Sequence, residues 1–159
     1  VAGTIAEFAT ACGVAAGGVD TIVENGGDIY IHAQTDVVIA LYAGDSALSG
    51  KLAFSITAER MPLAVCSSSS RMGHSLSFGN CDLATVTSAD AALADAAATM
   101  ACNLVCSETD LDPVLEKTVG IAGVDGVLLI KGEKIGMAGT LPALVKHCDA
   151  DMDSKVTRF

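Results

Sequence analysis

Positive charge is scarce in this chain: 9 Lys and Arg stand against 19 Asp and Glu, a formal net charge of −10 in 159 residues. That balance argues against a nucleic-acid backbone or an anionic membrane as partner, since both are bound mainly through clustered cations. A small anionic ligand would need backbone N–H groups or a bound cation. No apolar run approaches the ~20 residues that cross a bilayer, although 51% of residues are hydrophobic and mean hydropathy is +0.51. Apolar character spread so evenly implies elements buried on both faces, or a large partner surface. Cys-x-x-Cys is missing, which argues against a zinc ribbon. The six cysteines, at 12, 66, 81, 102, 106 and 148, read as small buried hydrophobes of a reducing compartment. Cys102 and Cys106, which share a predicted helix face, could instead hold a soft metal. Neither a secretory signal, a lipid-anchor motif, a tandem repeat nor Gly-x-Ser-x-Gly is visible, and a cytoplasmic protein is expected. The chain starts at Val1, without Met and already in helical pattern. A processed or truncated piece is therefore expected.

The length suits one domain, taken as residues 1–148, followed by a polar tail at 149–159. Residues 1–16 have helical spacing at Ile5, Phe8 and Cys12, a capping box at Thr4 and Glu7, and a stop at Gly17-Gly18. Strands are expected at 21–24, 29–33, 37–42, 52–57 and 63–66, with Asn25-Gly26-Gly27-Asp28 as a hairpin turn or glycine bulge. A further strand at 83–86 leads to a helix capped by Ser88 or Asp90 and running to about residue 106. Asp112-Pro113 opens a short helix ending near Gly120. Strands at 127–130 and 134–137 flank a turn at Gly132, and 141–147 suits strand or helix equally.

On the 88–106 helix, Leu93, Ala97, Met100 and Leu104 form one apolar face, with Asp95, Thr99, Cys102 and Cys106 opposite. Asp95 and Thr99, one turn apart, lie close enough for their oxygens to share one hard cation. The competing reading makes Asp95 a lone exposed acid and lets Thr99 back-bond to its own helix. Two loops could hold a ligand. In Asn25-Gly26-Gly27-Asp28, glycines admit close backbone approach beside an amide and a carboxylate. In 67–74, Ser67, Ser68, Ser69, Ser70, Arg71 and Gly73 could hold phosphate oxygens, with His74 beside them. A plain turn and a surface loop are the simpler readings. The loop at 44–51 lacks the Gly-Lys-Ser/Thr ending of a P-loop.

Glu24-Asn25-Gly26-Gly27-Asp28, Cys66-Ser67-Ser68-Ser69, Gly73-His74-Ser75 and Ala94-Asp95-Ala96-Ala97-Ala98-Thr99 recur in this order in the ApbE-like superfamily, which the sequence resembles from Val1 to about Val145. That superfamily includes magnesium-dependent flavin transferases, which take FMN from FAD. The likeness is strongest to an uncharacterised branch, which shares the 23–28, 48–52 and 73–79 segments. The resemblance implies a single α+β domain with a largely antiparallel sheet flanked by helices. It implies Mg2+ on Asp95, Thr99 and a backbone carbonyl at Ala2 or Gly3. Asn25, Gly26, Gly27, Asp28, Ser67, Ser68, Ser69 and Gly73 would line the pocket for a nucleotide such as FAD. His74 would be the catalytic residue near the phosphates. Two departures stand out. Ala6-Glu7-Phe8 replaces a Lys-Gly-Tyr, and Ser75-Leu76-Ser77-Phe78-Gly79 replaces an Asp-Pro-x-x-Gly segment. FMN transfer or pyrophosphate hydrolysis is one implied function; a ligand-binding or structural subunit without the chemistry is the other. The resemblance implies that related chains continue upstream, so an apolar patch around Ile5 and Phe8 and along the sheet edge is expected to be covered by further chain or by a second subunit.

Overall fold

The computed structural model describes residues 1–44, 46–71 and 78–147. Helix α1 (Ala2–Ala15) precedes strands β1 (Thr21–Asn25), β2 (Asp28–His32), β3 (Val37–Leu41), β4 (Leu52–Ile56), β5 (Leu63–Ser68) and β6 (Leu83–Ser88). Helices α2 (Ala91–Leu104) and α3 (Leu111–Val119) follow, then β7 (Val124–Lys131), β8 (Lys134–Gly139) and β9 (Ala143–Lys146). The order in the main sheet is β1-β2-β5-β6-β7-β8, and β3-β4-β9 form a second sheet. Every described pairing is antiparallel. No helix among the described residues is long and apolar enough to cross a membrane.

The main sheet is buried on both faces, which accounts for the evenly spread apolar residues. Strand alternation sends Cys66, Ala84, Val86, Val127 and Leu129 toward the helices. It sends Val65, Leu83, Leu128 and Ile130 toward Phe54 and Ile56 of the small sheet. Helices thus cover one face only, and the second sheet takes the other. The expectation of one sheet flanked by helices is refined accordingly. Residues 141–147, ambiguous by pattern, supply β9, whose Leu144 pairs with Phe54.

Helix α2 departs from its expected orientation. Its buried residues are Ala91, Ala94, Ala97, Ala98, Ala101 and Cys102, while Leu104 is 38% exposed. The helix lies so close to the sheet that only small side chains fit beneath it, and the larger ones move to its flanks. In α1 likewise the inward residues are Gly3, Ala6 and Thr10, and Ile5 and Phe8 are 53% and 69% exposed. The expected Thr4–Glu7 capping box does not form, because α1 has no side-chain cap. Glu7 Oε2 instead accepts the Ala91 N–H at 3.0 Å, at the start of α2, where Asp90 also accepts from Leu93 N–H. Ser107 and Asp110, not Asp112, make the capping box ahead of α3. Cys148 and the expected tail at 149–159 lie outside the described residues.

The inverted packing of α2 has a measurable consequence. Ala98→Leu should overpack the helix–sheet contact and cost about 1–3 kcal/mol. Leu104→Ala, which removes a larger but half-exposed side chain, should cost less than about 1 kcal/mol. Urea unfolding of both variants reads the order, and a larger loss in Leu104→Ala would contradict the packing described.

Candidate functional site

A cleft of ≈ 380 Å³ opens where the start of α1, the β1–β2 turn, the end of β5 and the middle of α2 meet. Its walls are Val1, Ala2 and Ile5, then Asn25, Gly26 and Asp28, then Ser67 and Ser68, then Asp95 and Thr99. The β1–β2 turn is tight because Gly26 and Gly27 take φ of 66° and 97°, the positive values that a two-residue hairpin loop requires. It pairs Asn25 with Asp28 across the hairpin. Asn25 Nδ2 donates to the Ala2 carbonyl at 3.3 Å, tying the turn to α1.

Helix α1 reaches the cleft because residue 3 is glycine. A Cβ at Gly3 would lie 2.5 Å from the Ala91 carbonyl oxygen and 3.0 Å from Asp95 Cβ. Without one, Gly3 N–H donates to Asp95 Oδ2 at 3.2 Å, and the Val1 nitrogen donates to the same oxygen at 2.7 Å. Asp95 is therefore not a lone exposed acid.

Asp28, 5% exposed, faces Asp95 across the cleft and shares a hydrogen bond with its carboxylate. Burial, then the charge of Asp95 and that hydrogen bond, push the Asp28 carboxyl up to about 7, against opposing hydrogen bonds from the Cys66 thiol and the Ser67 backbone. Burial also pushes Asp95 upward, but hydrogen bonds from the Val1 nitrogen and Gly3 N–H outweigh it and hold Asp95 below the usual carboxylate range. The pair is one proton acceptor with a divided character. Burial, then the charges of Asp28 and Asp95, raise the Cys66 thiol far above its ordinary value, so it is no nucleophile.

Of the residues singled out in the sequence, Ala2, Asn25, Gly26, Asp28, Ser67, Ser68, Asp95 and Thr99 line this one cleft. Gly27 shapes it from behind, its carbonyl accepting Ser67 N–H at 3.2 Å. Ser69 turns away, and its hydroxyl accepts Arg71 N–H at 3.1 Å. Gly73 and His74 lie outside the described residues. The Cys102–Cys106 metal reading is not supported: Cys102 is fully buried, where it hydrogen-bonds Cys81, while Cys106 is exposed beyond the helix end. Among the described residues no three His, Cys, Asp or Glu side chains gather to hold a metal. Three features escaped the sequence reading: the Asp28–Asp95 pairing, the contact at Gly3 and the use of Glu7. A glycine in the first turn of a helix was the available signal for the second.

A family model described as "AbpE bacteria" matches residues 1–118, about three quarters of the chain. The chain belongs to this family of ApbE-like proteins. A UPF0280 protein of Methanocaldococcus jannaschii is 42% identical over 130 residues, covering 79% of this chain and 53% of that protein. A UPF0280 protein of Archaeoglobus fulgidus is 39% identical over 148 residues, covering 91% of this chain and 60% of its own. The chain thus spans little more than half the length of these relatives. Its fold is similar to that of the flavinyl transferase ApbE of Pseudomonas stutzeri, solved in its apo form, with a TM-score of 0.52 at 14% identity over 87% of this chain and 46% of that one. The α+β architecture is that of the ApbE proteins.

The Asp28–Asp95 pair makes stability depend on pH. Asp28 keeps its proton in the folded state up to about 7, whereas an unfolded Asp releases it near the ordinary 3.8. The stability tied to that proton is complete below the unfolded value and is lost as pH rises through the folded one. Asp95, shifted the other way, loses its contribution only in acid below that window. Between pH 5 and pH 8 the melting temperature of Asp28→Asn should therefore climb relative to wild type and then level off. A constant difference across that range would show that Asp28 carries no such proton.

Proposed function

We propose that the cleft binds a flavin nucleotide such as FAD through a magnesium ion, and that the complete protein transfers FMN or hydrolyses the pyrophosphate. One observation carries this reading: the described walls of the cleft hold carboxylate, hydroxyl, amide and carbonyl oxygens but no Lys, Arg or His. A polyanionic ligand entering such a site needs a hard cation as intermediary, and the donor types suit magnesium. Asp95, Thr99 and the Ala2 carbonyl would hold the ion. When bound, magnesium supplies Lewis-acid polarisation of phosphate oxygens. Asn25, Gly26 and Asp28 would position the nucleotide from one side, and Ser67 and Ser68 would donate hydroxyl hydrogen bonds from the other. His74 is proposed as the proton-transferring residue on the strength of its matching position in the family sequence.

A second reading keeps binding and drops the chemistry. It is favoured by the first helix, where the buried Ala6 stands at the position of the transferases' Lys and the neighbouring Glu7 is committed to the Ala91 N–H. A positive charge that could meet the phosphates is thereby lost, and the acid beside it holds α2. Ile5 lines this wall of the cleft, and Ile5 and Phe8 are both exposed on the same helix. We take them to be covered in the whole protein by further chain or by a second subunit. In gel filtration this chain should then run larger than 16.0 kDa and shrink on Phe8→Ser. A monodisperse monomer would speak against the second subunit.

Calorimetric titration with magnesium should give binding to the wild type, none to Asp95→Ala and a several-fold weaker interaction with Thr99→Val. FAD with magnesium should raise the melting temperature, whereas FAD with chelator should not. Equal magnesium affinity in wild type and Asp95→Ala would overturn the metal assignment. FMN release or covalent flavin on an acceptor peptide separates the enzyme from the binding module.

A further inference from the structure

Resting on the magnesium reading above, one residue of the cleft has a role that its position in the hairpin does not suggest. Asp28 projects from the first position of β2, on the helix-facing side of the sheet, and is 5% exposed. Its carboxylate lies within hydrogen-bond distance of that of Asp95, which comes from α2. The remaining contacts of Asp28 are the Cys66 thiol and the Ser67 backbone, both neutral donors. Nothing basic among the described side chains lines this part of the cleft. Two carboxylates brought together with no basic side chain between them need a shared proton or a cation; the Val1 nitrogen on Asp95 Oδ2 answers one of the two charges and leaves the other. The surrounding groups decide between the two. The Ala2 carbonyl, the Asn25 side chain and Thr99 line the same space. They offer further neutral oxygens, which a proton does not need and a hard cation with six or more oxygen ligands does.

We propose that Asp28 is a second carboxylate ligand to the cation, so that α1, β2 and α2 each contribute a donor and the ion is bound before any nucleotide arrives. The charge count explains the order of events. A site with one carboxylate leaves a divalent ion with a net positive charge, to be balanced by the phosphates of the incoming ligand. A site with two balances the ion by itself, so the ion can reside there without nucleotide. The ion then fixes α1 and β2 to α2, and the nucleotide meets a wall already assembled. Asp28 is thereby moved from the ligand-lining set to the metal set.

Mn2+ titration followed by electron paramagnetic resonance at pH 8, with no nucleotide present, tests this without recourse to activity. Wild type should bind Mn2+. Asp28→Asn should weaken binding at least tenfold while melting no lower than wild type, because an isosteric amide relieves the carboxylate repulsion. Asp95→Ala should lose binding altogether. In wild-type protein, Mn2+ should broaden the side-chain carboxyl 13C resonance of Asp28 as strongly as that of Asp95, a readout that needs no variant. Unchanged affinity in Asp28→Asn, broadening of Asp95 alone, or binding that appears only once nucleotide is added would overturn the proposal and leave the magnesium reading intact. Unchanged affinity in Asp95→Ala would instead overturn that reading.

Discussion

The distance between α1 and α2 is set by a missing side chain. At Gly3 the two helices come so close that a single added carbon would collide with the Ala91 carbonyl. Glu7, one turn further on, clamps the approach by accepting the Ala91 N–H. Everything in the cleft follows from this contact. It places the Ala2 carbonyl beside Asn25, and it lets the nitrogens of Val1 and Gly3 reach Asp95. The alanine face of α2 does the same in the layer below, bringing that helix onto the sheet until Asp95 meets Asp28. Small residues here act as spacers, and their shortness is what moves polar groups from different elements into one place.

The electrostatics of the site invert what a nucleotide pocket would ordinarily show. The chain is poor in cations throughout, and the described cleft has none among its side chains. Two of the chain's cations serve structure elsewhere. Arg71 and Lys131 converge on the buried Asp82, at 2.8 and 3.8 Å, and the Gly132 N–H completes its shell at 2.6 Å. That cluster fixes the strand that enters β6, and it leaves the acids of the cleft to be answered by something that is not a side chain.

Much of this fold could be read from the residues. The Asn25-Gly26-Gly27-Asp28 turn was legible because positive φ at two consecutive positions is a demand that glycine meets. The strands were legible because alternation and apolar runs report burial directly. The candidate site was legible in its membership through Asp95, Thr99 and the hairpin, since a family pattern fixes which residues recur even where their contacts are unknown. Orientation was not legible. Helical spacing grouped Leu93, Ala97, Met100 and Leu104 as the apolar face of α2; Ala97 is buried with the other alanines, but the larger residues are not, because how near a helix comes to a sheet is a tertiary matter that periodicity does not encode. Glu7 was misread for a related reason. A Thr4–Glu7 spacing fits a local cap, but the N–H groups of the neighbouring helix offered the carboxylate a better partner. The strand at β9 was undecidable by pattern because its four residues gain their conformation only by pairing with β4.

That last pairing says something about the order in which the molecule can be built. The strands β3 and β4 leave the ribosome together, but β9, the third member of their sheet, is made some ninety residues later. Until then one edge of β4 has its backbone groups open to solvent. By contrast, the hairpins β1–β2 and β7–β8 close over two-residue turns and can form as they are synthesised. The face of Phe54 and Ile56 waits for Leu144, so that a strand distant in sequence closes the second core.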